Sequence, residues 1–151
     1  MALTHVGPGG EARMVDIGGK AVSRRTALAS GRVRLAPATL ELIRTNQVAK
    51  GDVLSAARLA GIMAGKKTAE LIPLCHNIPI EKIEVRLTLQ ADGVLIEGEA
   101  ACEAKTGIEM EALTAVALAA LTVYDMCKAV DKSMSIEDIK LVKKTKNAVH
   151  D

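Results

Sequence analysis

Between Ile83 and Leu89 apolar and polar residues alternate without interruption, Ile83, Val85, Leu87 and Leu89 against Glu84, Arg86, Thr88 and Gln90. A period of two is the mark of a strand. Ala91-Asp92-Gly93 follows as a turn and Val94 to about Cys102 reads as a second strand, so this segment is an antiparallel hairpin around which the rest must pack. Upstream, the alternation Arg32-Val33-Arg34-Leu35 suggests a short strand, and Pro37 opens a helix through Leu40 and Ile43 that ends near Asn46. Asp52 suits the N-cap of a second helix running through Val53, Ala56, Ala57, Ala60 and Met63 towards Gly65, with Lys66 and Lys67 at the end where the helix dipole favours cations. Pro73 and Pro79 force an irregular loop over Leu74-Cys75-His76-Asn77-Ile78.

A long helix is expected from about Gly107 to Lys132, and Ile136, Ile139, Leu141 and Val142 suggest a last strand. Strand, two helices, hairpin, helix, strand is the order of an α+β fold, a ferredoxin-like sandwich whose antiparallel sheet carries helices on one face. Its 151 residues suit a single domain over 1–151, with residues 1–12, which include Gly7, Pro8, Gly9 and Gly10, as a flexible arm and 143–151 as a basic, mobile tail. Tyr124 is the only ring among Phe, Trp and Tyr, so the core must be built from Leu, Ile, Val, Met and Ala, and recognition of nucleic acid by stacking bases on aromatic platforms is nearly ruled out. The longest uncharged run, Ala112 to Tyr124, is well short of the roughly 20 residues of a membrane span, and the first ten residues lack the pattern of a secretion signal. The expectation is a cytoplasmic protein without a membrane partner. Cys75, Cys102 and Cys127 are odd in number and widely spaced, which fits reduced thiols and no structural metal.

On a helical wheel Leu113, Val116, Ala117, Ala120, Tyr124 and Cys127 share the face expected to meet the sheet. The opposite face, Ala115, Leu118, Ala119, Thr122, Met126 and Ala129, is also small or apolar. Either the two earlier helices cover it or another subunit does, and the small residues favour a subunit contact. Glu111, Asp125 and Lys128 flank this second face. Glu111 and Asp125 are 14 residues apart, roughly 21 Å along a helix axis, so they can cooperate only across two copies packed about a two-fold axis.

Single chemical signals are weak. Lys50-Gly51-Asp52 precedes a helix N-terminus, where a phosphate can dock or where a lysine is simply solvated. His76 beside Cys75 could donate to a phosphoryl oxygen, exchange protons near neutrality, or lie idle at the surface. Glu109 and Glu111 fall in a first helical turn, where acids are favoured whatever the function. Lys143, Lys144 and Lys146 could clamp a polyphosphate or form a solvated terminus.

Taken together the signals carry more. Met14-Val15-Asp16, Lys50-Gly51-Asp52-Val53, Leu71-Ile72-Pro73-Leu74-Cys75-His76, Gly107-Ile108-Glu109-Met110-Glu111-Ala112-Leu113-Thr114 and Tyr124-Asp125-Met126-Cys127-Lys128-Ala129 closely resemble, in the same order, the MoaC family of molybdenum-cofactor biosynthesis. The resemblance runs from about Leu3 to Val142. It implies a lyase that converts cyclised dihydro-GTP to cyclic pyranopterin monophosphate with release of pyrophosphate. It further implies a ferredoxin-like homohexamer built as a trimer of dimers, with no cofactor beyond Mg2+ accompanying the triphosphate. By motif Asp125 and Lys128 match the family's catalytic acid/base pair, while Lys50, Leu74, Cys75, His76, Glu109, Met110 and Glu111 match its substrate pocket. Asp16, Lys20 and Arg25 lie where the family has further polar pocket residues. The tail Lys143-Lys144-Thr145-Lys146-Asn147 departs from the Gly-rich loop that family members commonly carry there. A non-catalytic ferredoxin-like module that binds a purine nucleotide for regulation, and a purely structural oligomer, remain as alternatives.

Overall fold

The computed structural model describes residues 4–149. The elements are β1 (Ser23–Arg34), α1 (Pro37–Arg44), α2 (Val53–Lys66), α3 (Thr68–Leu71), β2 (Ile80–Gln90), β3 (Gly93–Ala104), α4 (Glu109–Cys127) and β4 (Ser135–Ala148). The four strands form one sheet in the order β2-β3-β1-β4, with every neighbouring pair antiparallel. That is the split βαβ topology of the ferredoxin-like sandwich, and α2 and α4 lie side by side on one face of the sheet.

β1 is much longer than the four residues expected. Its residues facing the helices, Ser23, Ala27, Ala29, Gly31 and Val33, are buried but mostly small, so the alternation that marks β2 is faint in its sequence. β4 likewise continues beyond the expected last strand, and the basic segment foreseen as a mobile tail is instead paired with β1 as far as Ala148, Lys143 opposite Leu28 and Lys146 opposite Arg25. A lysine-rich strand on a sheet edge keeps other strands away while still meeting its one neighbour's hydrogen bonds. Of the expected arm at 1–12, residues 1–3 lie outside the described residues, and the remainder is drawn into a small loop by the Val6–Ala12 bridge and a bond from the Arg13 N–H to the His5 carbonyl. α1 closes with a Schellman motif at Asn46 (φ 54), whose N–H donates to Ile43 O while that of Gln47 donates to Leu42 O. The short α3 is one turn that the sequence pattern did not signal.

α4 is long and apolar enough by length and composition to cross a membrane, yet it serves as the core helix. Val116 presses on the sheet where β1 and β3 carry glycine: a Cβ on Gly31 would lie 2.8 Å from Val116 Cγ1 and one on Gly98 2.9 Å from Val116 Cγ2. α2 approaches as closely, since a Cβ on Gly61 would lie 2.8 Å from the Ala115 carbonyl oxygen. The face assigned above to a subunit contact is therefore covered in large part by α2, with Ala115, Ala119 and Met126 buried. Conversely Tyr124, expected in the core, is 38% exposed, Leu121 is 51% exposed, and Leu113 and Ala117 are half-buried. A helix apolar almost all round offers no direction to a wheel; the small residues of its neighbours decide which arc goes in.

α4 stops at Cys127, five residues before the expected Lys132, because Asp131 pulls the chain away. The N–H groups of Val130 and Asp131 both turn back to Cys127 O. The Asp131 carboxylate accepts from Ala36 N at 2.8 Å, Thr39 Oγ1 at 2.9 Å, Ser133 N at 2.9 Å and Ser133 Oγ at 2.8 Å. One buried carboxylate thus supplies the missing cap of α1 and ties the end of α4 to the β1–α1 junction. Burial alone would raise its pKa, but the four donors prevail and hold it at about 2. A pKa depressed on folding means stability that is complete above the unfolded value and lost as pH falls towards the folded one. Urea unfolding of the wild type should lose about 2 kcal/mol on acidification from about pH 4 to pH 2 through this group. Asp131→Asn should be less stable at neutral pH and lack that component of the acid loss.

Candidate active site

Two groups of ionisable side chains sit at opposite ends of α4. At its N-terminal end a cavity of about 500 Å³ opens between the α3–β2 loop, the β3–α4 loop and the segment before β1. Leu74, Cys75, His76, Glu109, Met110, Glu111 and Lys20, all named from the sequence, line it. His5, Val15, Ile17, Thr106 and Gly107 line it too and were missed; all but His5 lie close to the recognised Asp16 and Glu109 positions, which was the available signal. The Asp16 carboxylate is occupied otherwise, accepting from the Gly18 N–H at 2.8 Å in an Asx turn. Arg25 lies in an adjoining groove with Lys144 and Lys146, its buried Nε without a partner, while Lys144 Nζ reaches Glu109 Oε1 at 3.3 Å. Lys143 is not part of that groove.

The Pro-bracketed loop aims His76 at the segment before β1. Its Nε2–H donates to the Val15 carbonyl at 2.6 Å. That bond fixes the tautomer and leaves Nδ1 as an acceptor when the ring is neutral and a donor when it is protonated. Glu111 is 3% exposed and makes no ion pair among the described residues. Burial pushes its pKa up, outweighing the opposing hydrogen bond from its own backbone N–H, and the neighbouring Glu109 charge adds a smaller push in the same direction. The thiol of Cys75 is pushed up by burial and by Glu111, and that of Cys102 behind it to about 11 by the same two influences. Both shifts disfavour the thiolate, the form in which a cysteine acts as a nucleophile. The cavity therefore offers two glutamates, one of them disposed to hold a proton, the imidazoles of His5 and His76, and a lysine, around an apolar floor.

At the other end of α4, Lys50, Asp125 and Lys128 form one cluster. Lys50 Nζ donates to Asp125 Oδ2 at 2.8 Å and to the Asp125 carbonyl at 3.3 Å; Lys128 Nζ lies 3.3 Å from Asp125 Oδ1. The position expected for Lys50, a phosphate dock at the start of α2, is not the one it takes. The α2 N-terminus is capped by the Asp52 carboxylate, which accepts from Ser55 N at 3.0 Å, and Gly51 (φ 107) turns the backbone so that Lys50 crosses to α4. Hydrogen bonds from Lys50 first, and then from Lys128, hold the Asp125 carboxyl below its usual range. All three side chains are exposed. Asp125 keeps two ammonium groups together without neutralising both, a fork suited to an anionic oxygen.

Within one chain the two groups do not meet, as the rigid helix between them requires. Residues 14–147, which hold both, match the MoaC family model. The chain belongs to the MoaC family. Among its curated relatives a Thermomicrobium roseum protein is 56% identical over 144 residues, covering 94% of this chain and 87% of its own length. A Nostoc protein is 55% identical over 145 residues, covering 95% and 86%. Both are named cyclic pyranopterin monophosphate synthase. A mitochondrial protein of that name from Arabidopsis thaliana is 54% identical over 95% of this chain and 54% of its own length.

In this MoaC chain the Glu111 carboxyl is held where folding disfavours its charge. A pKa raised on folding destabilises the protein above the folded value and costs nothing below the unfolded one. Glu111→Gln should therefore melt at the same or a higher temperature than the wild type at pH 7, with the advantage fading towards pH 4, while activity falls. Calorimetry across that pH range, beside an activity assay, reads both.

Proposed function

We propose that this chain carries out the reaction for which its relatives are named. The substrate is 3',8-cyclo-7,8-dihydro-GTP, and the products are cyclic pyranopterin monophosphate and pyrophosphate. The observation that carries this reading is the meeting of separate family motifs, Leu74 to His76 and Glu109 to Glu111, in one cavity with mixed charge. Breaking the link between the α- and β-phosphates needs cations at the departing pyrophosphate, and opening the purine ring needs proton transfers. Lys50 and His76 serve the first need, with Arg25 and Lys20 alongside; Asp125 and Lys128 serve the second together with the glutamates. Charge spreads over the leaving phosphate oxygens as the anhydride breaks, which is why positioned donors outweigh covalent chemistry here. The protein needs no cofactor of its own, and Mg2+ accompanies the substrate's triphosphate.

The site is completed by a second copy. Leu121 and Tyr124 remain exposed beside Asp125 and Lys128, and an antiparallel partner laid on this stripe brings its cavity end to the Lys50–Asp125–Lys128 fork. Such dimers assemble three at a time into a hexamer, in the cytoplasm.

Incubation with the cyclised intermediate should release pyrophosphate and yield a product whose oxidised form fluoresces as a pterin; binding without pyrophosphate release would instead favour a regulatory module. Asp125→Ala and Lys128→Ala should each lose on the order of 10²–10⁴ in kcat with assembly intact. Lys50→Ala should chiefly raise KM. When inactive Glu111→Ala and Lys128→Ala subunits are unfolded and reassembled together, up to about a quarter of the sites should recover activity. A mixed oligomer no more active than its parents would place the whole site in one subunit.

A further inference from the structure

Residues 15–20 form one wall of the cavity, contributing Val15, Ile17 and Lys20. The segment closes on itself through the Gly18 N–H on Asp16 Oδ1 at 2.8 Å and the Lys20 N–H on the Ile17 carbonyl at 3.0 Å. Two side chains from elsewhere in the fold tie it down. His76 donates to the Val15 carbonyl at 2.6 Å, and Lys105 Nζ donates to the Gly18 carbonyl at 2.8 Å. The first comes from the loop before β2 and the second from the loop before α4, the two loops that bear the family's substrate motifs. Lys105 is outside the cavity: it lies on the far side of the segment, in a shallow hollow that it shares with Val22, Asn77 and Glu103.

The two ties hold unequal loads. The Val15 end is apolar and faces the cavity beside His76. The other end is Gly18-Gly19; both glycines are exposed, and a Cβ on Gly19 would meet nothing within 4 Å, so the backbone there is open to solvent. Paired glycines lose the most conformational freedom on ordering, and a charge-assisted hydrogen bond to the carbonyl between them is the interaction that offsets it.

We propose that Lys105 is a positioning residue for substrate binding: by donating to the Gly18 carbonyl it fixes the strap 15–20, and so sets Ile17 and Lys20 opposite Glu109, Met110 and Glu111. This rests on the cavity being the substrate site. Without the tie the strap populates open conformers, and apparent affinity falls by the fraction of time the wall is out of place. The groups assigned to proton transfer, Asp125, Lys128 and the glutamates, are not on the strap, so the effect falls chiefly on KM.

Lys105→Met keeps the aliphatic stem and removes the donor, whereas Lys105→Arg keeps a donor of similar reach. In Lys105→Met the backbone amides of residues 16–20 should exchange with deuterium about tenfold faster, and KM for the cyclised intermediate should rise about tenfold with kcat within about twofold, the size expected for losing one charge-assisted bond. Lys105→Arg should restore both, and the melting temperature should be unchanged in each. Exchange at 16–20 unaffected by Lys105→Met, a fall in kcat with KM unchanged, or failure of arginine to restore the strap would overturn the assignment. If the wild type does not turn over the intermediate, the functional reading fails, and deuterium exchange alone still decides whether Lys105 holds the strap.

Discussion

The close seating of α4 against the sheet and α2 is the contact on which the molecule rests. A chain with one aromatic ring cannot fill the space between helix and sheet with large side chains, and this one removes the space. Gly31 and Gly98 let Val116 sink to the strands, while Gly61 lets α2 come up to the Ala115 carbonyl. Dispersion gains between small groups accumulate only when surfaces are close, so backbone proximity replaces side-chain bulk. The arrangement tolerates little: a methyl group on Gly61 would meet the backbone of α4, and one on Gly31 or Gly98 would press on Val116.

That rod also sets the geometry of the chemistry. The buried carboxyl of Glu111 belongs to its first turn and Asp125 to its last, with Lys128 as the C-cap residue. Each end is braced by polar groups from distant parts of the chain, the C-terminal one by Lys50 on Asp125 and by the Asp131 carboxylate on the β1–α1 junction, the N-terminal one by Lys144 on Glu109. A displacement of the helix along its axis would move both clusters together, so the packing of the middle and the alignment of the ends are one constraint. Charged groups gather at the ends because the middle is enclosed on the sheet and α2 sides by small apolar residues, where an unpaired charge would be costly.

How much of this could be read from the residues varied with what their side chains display. The β2–β3 hairpin and the Asp52 cap were plain, because alternation and a short polar residue before an apolar run are both written in side-chain chemistry. β1 was largely hidden, since Ala27, Ala29 and Gly31 face the core without announcing it, and β4 was cut short because a row of lysines resembles a solvated tail until it is paired. The orientation of α4 was set by glycines on other elements, beyond the reach of any wheel. In the site, the motifs that share the cavity were found together with Lys20. The pairing of Lys50 with Asp125 spans 75 residues of sequence. The ties of His76 and Lys105 end on backbone carbonyls, which every residue possesses and no sequence pattern distinguishes.

Tyr124 stands half outside the fold on the outer stripe of α4, next to Asp125. It is the sole aromatic chromophore of the polypeptide. The near-ultraviolet optical activity of this protein therefore has essentially one source, and that source reports on what lies against α4 rather than on the interior. Were a second copy to leave this stripe, as the proposed dimer allows, a chain with its core fully intact would lose much of the spectroscopic signature that is ordinarily taken to mean a native tertiary structure. The protein's own emission is also that of a lone phenol, leaving the longer wavelengths to whatever pterin is bound.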